Sequence, residues 1–315
     1  MTKVSIVILN WNHADDTLEC LKSIKDLLVD NFELTCVVVD NGSKDDSVKR
    51  LTQFINKENK VGGNQKISWR LIGTDANRGF AGGNNFGIKY ALERKADYVM
   101  ILNNDTRVHP TLLIRIIEVA KKYSDFGVAS PKICFEEGYE FHKERYKKSD
   151  LGKVVWYAGG EIDWDNLYGK TRGVDEVDKG QYDELEETEF ATGTCMFLSR
   201  KVLEKVGSFD EKYFMYYEDT DFSQRTKRAG FKVFYVPDAV VWHKVAQSSG
   251  IGSNLNDYFI ARNRLLFGMR YANFRTRLAL YRESMKLLLT GREWQKRGVL
   301  DFYFRNFGKG SWRNS

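Results

Sequence analysis

Residues 4–9 (VSIVIL) form a short β-branched apolar run, which predicts a buried strand. Leu18, Leu21, Ile24 and Leu28 then recur at helical spacing. The two periods go on alternating. Residues 34–39 predict a second strand, and Val48, Leu51, Phe54 and Ile55 the next helix face. Residues 67–72 predict a third strand, and Phe86, Ile88, Ala91 and Leu92 suit the helix after it. Residues 98–102 predict a fourth strand. Leu112, Leu113, Ile116, Ile117 and Ala120 then mark a helix after Pro110, a residue that suits a first turn. Residues 126–129 predict a fifth strand. Strands alternating with helices mean βαβ units, an α/β fold and a parallel sheet. Residues 135–190 are weakly periodic and rich in Glu, Asp, Lys, Gly and Tyr. They predict loops and short antiparallel strands laid over the sheet. Residues 196–198 return to a strand pattern, 219–229 predict a helix stopped by Gly230, and 232–235 a further strand. Beyond Asn254 the pattern is helical and basic, and no internal repeat is visible.

Ligands of open parallel sheets bind beyond the carboxyl ends of the strands. Four consecutive strands of this chain end in polar clusters. They are Asn10-Trp11-Asn12, Asp40-Asn41-Gly42-Ser43, Asp75-Ala76-Asn77-Arg78-Gly79 and Asn103-Asn104-Asp105. Any one could be a turn or helix cap, since these residue types favour both. Four at equivalent places converge on one crevice. The fingerprint G-x-G-x-x-G does not follow the first strand, and no P-loop pattern is present. The glycine-rich stretch NRGFAGGNN at 77–85 follows the third strand instead, where glycine lets backbone approach a ligand closely. A carboxylate at Asp40 could accept hydrogen bonds from a ribose hydroxyl or a base N–H. These features suit a mononucleotide held without a Walker loop.

Composition narrows the classes. The 315 residues include only 3 prolines and no linker-like tract, so two flexibly joined modules are not expected. No run of about 20 apolar residues predicts a membrane span, and the N-terminus lacks the pattern of a signal peptide. The 4 cysteines are scattered, which predicts a reduced, cytoplasmic chain rather than a disulfide framework or zinc site. The net charge of +6 is uneven. From Arg262 onward there are 13 Lys and Arg against 3 acids, about +10, leaving about −4 on the residues before. A basic amphipathic tail on an acidic body predicts peripheral contact with an anionic membrane face. Apolar positions there are Leu265, Leu266, Phe267, Met269, Leu278, Leu280, Leu287, Leu288, Leu289, Phe302 and Phe304. Packing on the catalytic domain or a homodimer contact is the competing use of these helices, and Arg262, Arg264 and Arg270 could instead bind phosphate. No nucleic-acid motif accompanies the basic excess, so no nucleic-acid partner is expected.

The chain resembles the inverting, GT-A-fold family 2 glycosyltransferases. The matching pieces are SIVILNWN at 5–12, VVVDNGSKDDS at 37–47, NRGFAGGNNFGI at 77–88 and ILNNDT at 101–106. They continue with residues 191–230, which hold MYYEDTDF, and VVWH at 240–243. The branch most resembled includes bacterial rhamnosyltransferases of surface-polysaccharide assembly. The resemblance implies a mostly parallel sheet flanked by helices. Residues 1–250 would form the catalytic domain, with a nucleotide-binding half at 1–130 and an acceptor half at 131–250. Residues 251–315 would be a basic helical extension. It implies a nucleotide-sugar donor, dTDP-rhamnose being the first to consider, and a glycan or lipid-linked acceptor. Mn2+ or Mg2+ would be the cofactor, and Asp105 and His243 match its ligands. The family's Asp-x-Asp motif reads Asn103-Asn104-Asp105 here, so the first position carries no charge. Asp219 matches the catalytic base. Glu218, Asp219 and Asp221 are crowded, which would raise at least one carboxyl pKa. Candidate nucleotide contacts are Asn10, Asn12, Asp40, Asp75, Asn77, Gly79, Asn84 and Asn104. Candidate sugar contacts are Gly193, Thr194, Trp156 and Glu218. Ser248 and Ser249 could bond phosphate oxygens, and Arg225 and Arg228 could steady a phosphate or pair with the acids. A nucleotidyltransferase is disfavoured, because Asn-Trp-Asn-His stands where that class carries a glycine-rich basic loop. A non-catalytic nucleotide-sugar-binding module remains the alternative.

Overall fold

The computed structural model describes residues 1–60, 67–245 and 252–313. The elements run β1 (Thr2–Asn10), α1 (Ala14–Lys25), β2 (Phe32–Asp40), α2 (Ser47–Lys60), β3 (Ile67–Gly73), α3 (Gly79–Glu93) and β4 (Tyr98–Asn103). A short β5 (Thr106–Val108) leads to α4 (Leu112–Lys122) and β6 (Phe126–Phe135). Next come β7 (Val154–Tyr157), β8 (Gly160–Asp163), β9 (Tyr168–Thr171), β10 (Glu176–Val177) and β11 (Glu186–Glu187). The chain then forms β12 (Cys195–Ser199), α5 (Arg200–Val206), α6 (Glu218–Arg228) and β13 (Lys232–His243). It closes with α7 (Asn254–Tyr271), α8 (Phe274–Thr290) and α9 (Glu293–Tyr303).

Among the described residues the strands build an eleven-stranded sheet whose main path is β10-β7-β6-β12-β4-β1-β2-β3. The half formed by β4, β1, β2 and β3 is parallel throughout, with Asn10 opposite Asp40 and Leu9 opposite Asn103. The polar clusters of β1, β2 and β4 therefore leave the sheet along one edge. β12 enters antiparallel between β4 and β6 and brings residues 192–194 to that same edge. β8 and β9 pair as a separate antiparallel ribbon.

Several expectations change in detail. Leu28 lies beyond α1 and is 52% exposed, and Val48 on α2 is 45% exposed. α4 does start after Pro110, as expected, with Thr111 as its N-cap. The glycine-rich stretch is not a ligand loop but the first turns of α3. A Cβ at Gly83 would collide with Leu9, and one at Gly87 with Val7. These glycines let α3 lie close on β1, and that close approach is their physical use. The helices after Asn254 are also not a free tail. α7 buries Tyr258, Phe259, Arg262, Asn263, Leu265 and Phe267. Leu265, Leu266, Phe267 and Leu280 belong to the same apolar cluster as the sheet, which spans both sides of position 250.

Candidate active site

At the β1–β2 end, polar side chains are fixed by one directional chain of hydrogen bonds. The Asn104 amide donates to the Thr17 hydroxyl (2.9 Å), which donates to the Asn10 carbonyl oxygen (2.6 Å). The Asn10 amide then donates to Asp40 Oδ2 (3.1 Å). The Ser43 backbone N–H and hydroxyl also donate to the Asp40 carboxylate, at 2.9 and 2.6 Å. Asn12 adopts a left-handed conformation and locks onto the next loop, donating to Ser43 Oγ and accepting from the Lys44 N–H. The buried Asn41 repeats this on the other side. Its Oδ1 accepts from the Arg78 N–H and its amide donates to Asn77 Oδ1 and the Gly79 carbonyl. Gly79 has φ near +71°, and a Cβ there would strike Phe214. The result is a pre-formed cleft of about 360 Å³ bounded by Asp40, Ser43, Lys44, Thr74 and Asp75. Such preorganisation lowers the ordering cost of binding.

Asp40→Ala will orphan the Asn10 amide and free the Ser43 loop. Loss of hydrogen bonds to a charged group costs about 1.5–3 kcal/mol. As the nucleotide contact that the resemblance implies, Asp40 shares no hydrogen-bond partner with Asp219, so its loss should raise donor KM and change kcat little. Steady-state kinetics checks this, and a collapse of kcat at unchanged KM would contradict it.

The β4 end carries the second group. His243 Nε2 lies 3.1 Å from Asp105 Oδ1, both largely buried. Among the described residues, Asp105 Oδ1 and His243 Nδ1 have no hydrogen-bond partner. Trp156 packs edge-on against the His243 ring, with centroids 5.1 Å apart, so its ring orients the imidazole. The following residue anchors the pair to α1: the Lys244 N–H donates to the Asp105 carbonyl, and its ammonium bonds Asp16 and Glu19.

The third group sits at the N-terminus of α6. The Gly193 N–H donates to Asp219 Oδ2 (2.8 Å), and Thr220 donates to Oδ1 through its N–H and hydroxyl. Burial raises the Asp219 pKa above the usual carboxylate value, and those N–H bonds only partly offset it. Burial, and then the charge of Asp219, push Glu218 well above its ordinary value. Glu218 is 5% exposed and its Oε2 has no partner. Asp219 and Asp105 share one edge, because the Asn103 N–H donates to the Thr194 carbonyl (2.9 Å), one residue from Gly193.

The loop ahead of α6 is held in a rare shape. Phe214, Tyr216 and Tyr217 all have φ between +64° and +72°. Left-handed bulky residues persist only when their surroundings impose them. α7 supplies that constraint. The Asn263 amide is shared among the carbonyls of Tyr213, Met215 and Tyr216, and Arg262 donates to those of Lys212, Tyr213 and Gly308. Asp221, fully buried, accepts from Arg225, Arg270, Tyr213 and Tyr271.

The structure thus brings together Asn10, Asn12, Asp40, Asn77, Gly79 and Asn104, and separately Asp105, His243, Trp156, Gly193, Thr194, Glu218 and Asp219. Asp75 is exposed on the cleft rim. Asn84 is not brought to the cleft. It is 1% exposed, and its amide donates to the Phe80 carbonyl within α3. Of the proposed phosphate-binding arginines, Arg225, Arg270, Arg262 and Arg264 are engaged within the protein, and Arg228 keeps an exposed head group. Arg225 bonds Asp221, Arg270 bonds Asp210 and Asp221, Arg262 bonds backbone carbonyls and Arg264 bonds Glu283, while Arg228 stacks over the Tyr271 ring with its N–H groups towards solvent. Ser248 and Ser249 lie outside the described residues. Sequence reasoning missed Thr17, Asn41 and Asn263. Asn41 stands inside a recognised polar cluster, but Thr17 and Asn263 lie in helices where nothing marks them.

The architecture is that of the GT-A glycosyltransferases. Residues 5–207 match the model of glycosyl transferase family 2 and residues 164–305 that of glycosyl transferase family group 2. The chain belongs to glycosyltransferase family 2. It is 27% identical over 266 residues to the low-salt glycan biosynthesis hexosyltransferase of Haloferax volcanii, covering 84% of this chain and 74% of that protein. It is 27% identical to the dTDP-rhamnosyl transferase RfbF of Shigella flexneri over 78% of this chain and 75% of that one. The N-acetylglucosaminyl-diphospho-decaprenol L-rhamnosyltransferase of Mycobacterium tuberculosis is 26% identical over 69% of this chain and 68% of its own. In fold, the chain is similar to the mannosyltransferase PcManGT from Pyrobaculum calidifontis, solved with GDP-Man and Mn2+. That alignment has a TM-score of 0.55 at 15% identity and covers 96% of this chain and 74% of that one. It is also similar to GalNAc-T7, solved with UDP, GalNAc and Mn2+, at a TM-score of 0.62 and 15% identity, over 89% and 55%.

Proposed function

We propose that this enzyme transfers a sugar, with inversion, from a nucleoside-diphosphate donor to a hydroxyl of a glycan or lipid-linked acceptor. dTDP-rhamnose is the first donor to test, since two relatives are named for rhamnosyl transfer. The observation that carries the reading is the linkage of Asp105 and Asp219 at one sheet edge through residues 193–194. That arrangement sets a candidate metal ligand and a candidate base on one crevice.

The Asp105–His243 pair fits a divalent ion. A buried carboxylate oxygen without a hydrogen bond faces an imidazole nitrogen at 3.1 Å, a donor set that suits Mn2+. A bound Mn2+ or Mg2+ would neutralise the charge that develops on the leaving diphosphate. The β1–β2 cleft holds the nucleotide, with its wall set by Asp40 and Asn41. Asp219 takes the proton of the acceptor hydroxyl as that oxygen bonds to the anomeric carbon. The bond from that carbon to the diphosphate breaks on the opposite face, and the proton remains on Asp219.

Nucleoside-diphosphate release from a panel of nucleotide sugars, with and without acceptor and Mn2+, tests the reading. Release should need acceptor and metal together. Asp105→Ala and His243→Ala should each weaken metal-dependent donor binding, less than additively because they share one site. Donor binding with no release under any acceptor would mark a binding module instead. Metal dependence unchanged in both folded variants would remove the proposed metal site.

A further inference from the structure

α8 carries two apolar faces. Leu280, Thr276 and Ser284 are buried against the protein, with Leu287 and Leu288 partly so. A second stripe, recurring every three or four residues, consists of Phe274, Leu278, Tyr281, Met285 and Leu289. Phe274 is 82% and Leu289 79% exposed, so this stripe faces solvent, and no element among the described residues covers it. α9 adds exposed Leu300 and, at its end, Phe304 at 79%. Arg275, Arg282 and Lys286 follow one side of the α8 stripe by helical spacing and Arg277 the other, and all four are exposed. Among the described residues none of these four head groups is held in an ion pair, whereas the helix's one acid, Glu283, is turned inward onto Arg264. No helix of the described residues is long and apolar enough to cross a membrane.

From this geometry we propose that α8, with the end of α9, lies flat on an anionic lipid surface. The stripe would enter the boundary between headgroups and acyl chains, and the flanking arginines and lysine would meet lipid phosphates. Exposed leucines and aromatics bordered by cations are the composition of an interfacial helix, and long basic side chains reach outward from such a face. Charge decides between this occupant and a second copy. An isologous dimer would place the same four cations against themselves, with no free carboxylate on the stripe to answer them. An anionic bilayer answers every one. This surface differs from the one expected from hydropathy, because Leu265, Leu266, Phe267 and Leu280 are interior while Phe274, Tyr281 and Leu300 are not. The inference is independent of the donor and of the metal.

The test is flotation of the full-length protein with phosphatidylcholine vesicles, with and without phosphatidylglycerol, at low and high salt. Two variant sets accompany it: Arg275→Gln, Arg277→Gln, Arg282→Gln and Lys286→Gln together, and Phe274→Ser with Leu289→Ser. Binding should need phosphatidylglycerol and fall with salt. Each charge is worth roughly fivefold, so the quadruple variant should bind on the order of a hundredfold more weakly or worse at low salt. The serine variant should also bind weakly, and both should keep wild-type melting temperature, since every altered side chain is exposed. Failure of the wild-type protein to bind anionic vesicles at low salt overturns the proposal without reference to any variant. So does binding indifferent to both variant sets. A concentration-dependent dimer abolished by the serine variant, with no vesicle binding, would assign the stripe to a second copy.

Discussion

Asp219→Asn should cut transfer by roughly 10²–10⁴-fold, the usual worth of a positioned base, while donor affinity stays near wild type. The amide is nearly isosteric and its oxygen can still accept the Gly193 N–H bond, so residues 192–194 keep their positions, while the Thr220 N–H at the start of α6 loses its acceptor and the Thr220 hydroxyl can turn to accept from the new amide. What is lost is the ability to take a proton. Nucleotide binding and transfer, measured on the same folded variant, separate the two effects. More than about a tenth of wild-type turnover would leave Asp219 without the role of general base. The pH profile supplies an independent check. Burial raises this carboxyl, and transfer needs it ionised. Rate should therefore fall as pH drops through a pKa lying above the ordinary carboxylate value of about 4. An acid limb at or below that value would contradict the buried setting of the base.

Asp221→Ala should produce the largest loss of stability. The carboxylate is fully buried and is the common acceptor for Arg225, Arg270, Tyr213 and Tyr271. Removing it leaves Arg225 without a carboxylate, Arg270 with Asp210 alone, and the Tyr213 and Tyr271 phenols without the carboxylate that accepts from them. Breaking a buried pair from one side costs about 3–5 kcal/mol, which for a chain of this size lowers Tm by roughly 10 °C. Activity should fall with it, because α6 also carries Asp219. Thermal unfolding followed by circular dichroism measures the shift. A Tm within about 2 °C of wild type would mean that the network contributes less than a single ordinary hydrogen bond.

The parallel half of the fold was legible because its strands are buried on both faces and read as unbroken β-branched runs such as residues 4–9 and 34–39. The polar strand ends were legible for the same reason: a switch from Val and Ile to Asn and Asp is abrupt. Asp105, His243 and Asp219 were reached only through resemblance, since nothing local distinguishes Asp219 from the structural Asp221 two residues on. The glycines of α3 were misread because composition reports an absent side chain but not which neighbour uses the space. It was β1 rather than a ligand. α7 was misjudged for a different reason. It is apolar and basic around much of its circumference, so its periodicity assigns no inner face. Arg262, fully buried, is satisfied by backbone carbonyls that leave no trace in the pattern.

The clamp of α7 on residues 213–217 bears on the order in which the enzyme matures during synthesis. Domains assemble as the chain emerges from its N-terminus. The ends of β1, β2 and β4, and the hydrogen-bond chain from Asn104 to Asp40, are complete once the first 104 residues are available. The left-handed loop ahead of Asp219 has no Asn263 to fix it until α7 has emerged, and the Arg262 contact with Gly308 waits longer still. On the ribosome the nascent chain passes through a stage in which the hydrogen-bond chain from Asn104 to Asp40 has all its residues while residues 213–217 still lack their clamp. The setting of the loop before Asp219 thus depends on the residues from Asn254 onward, and a product terminated ahead of α7 would lack the groups that impose it.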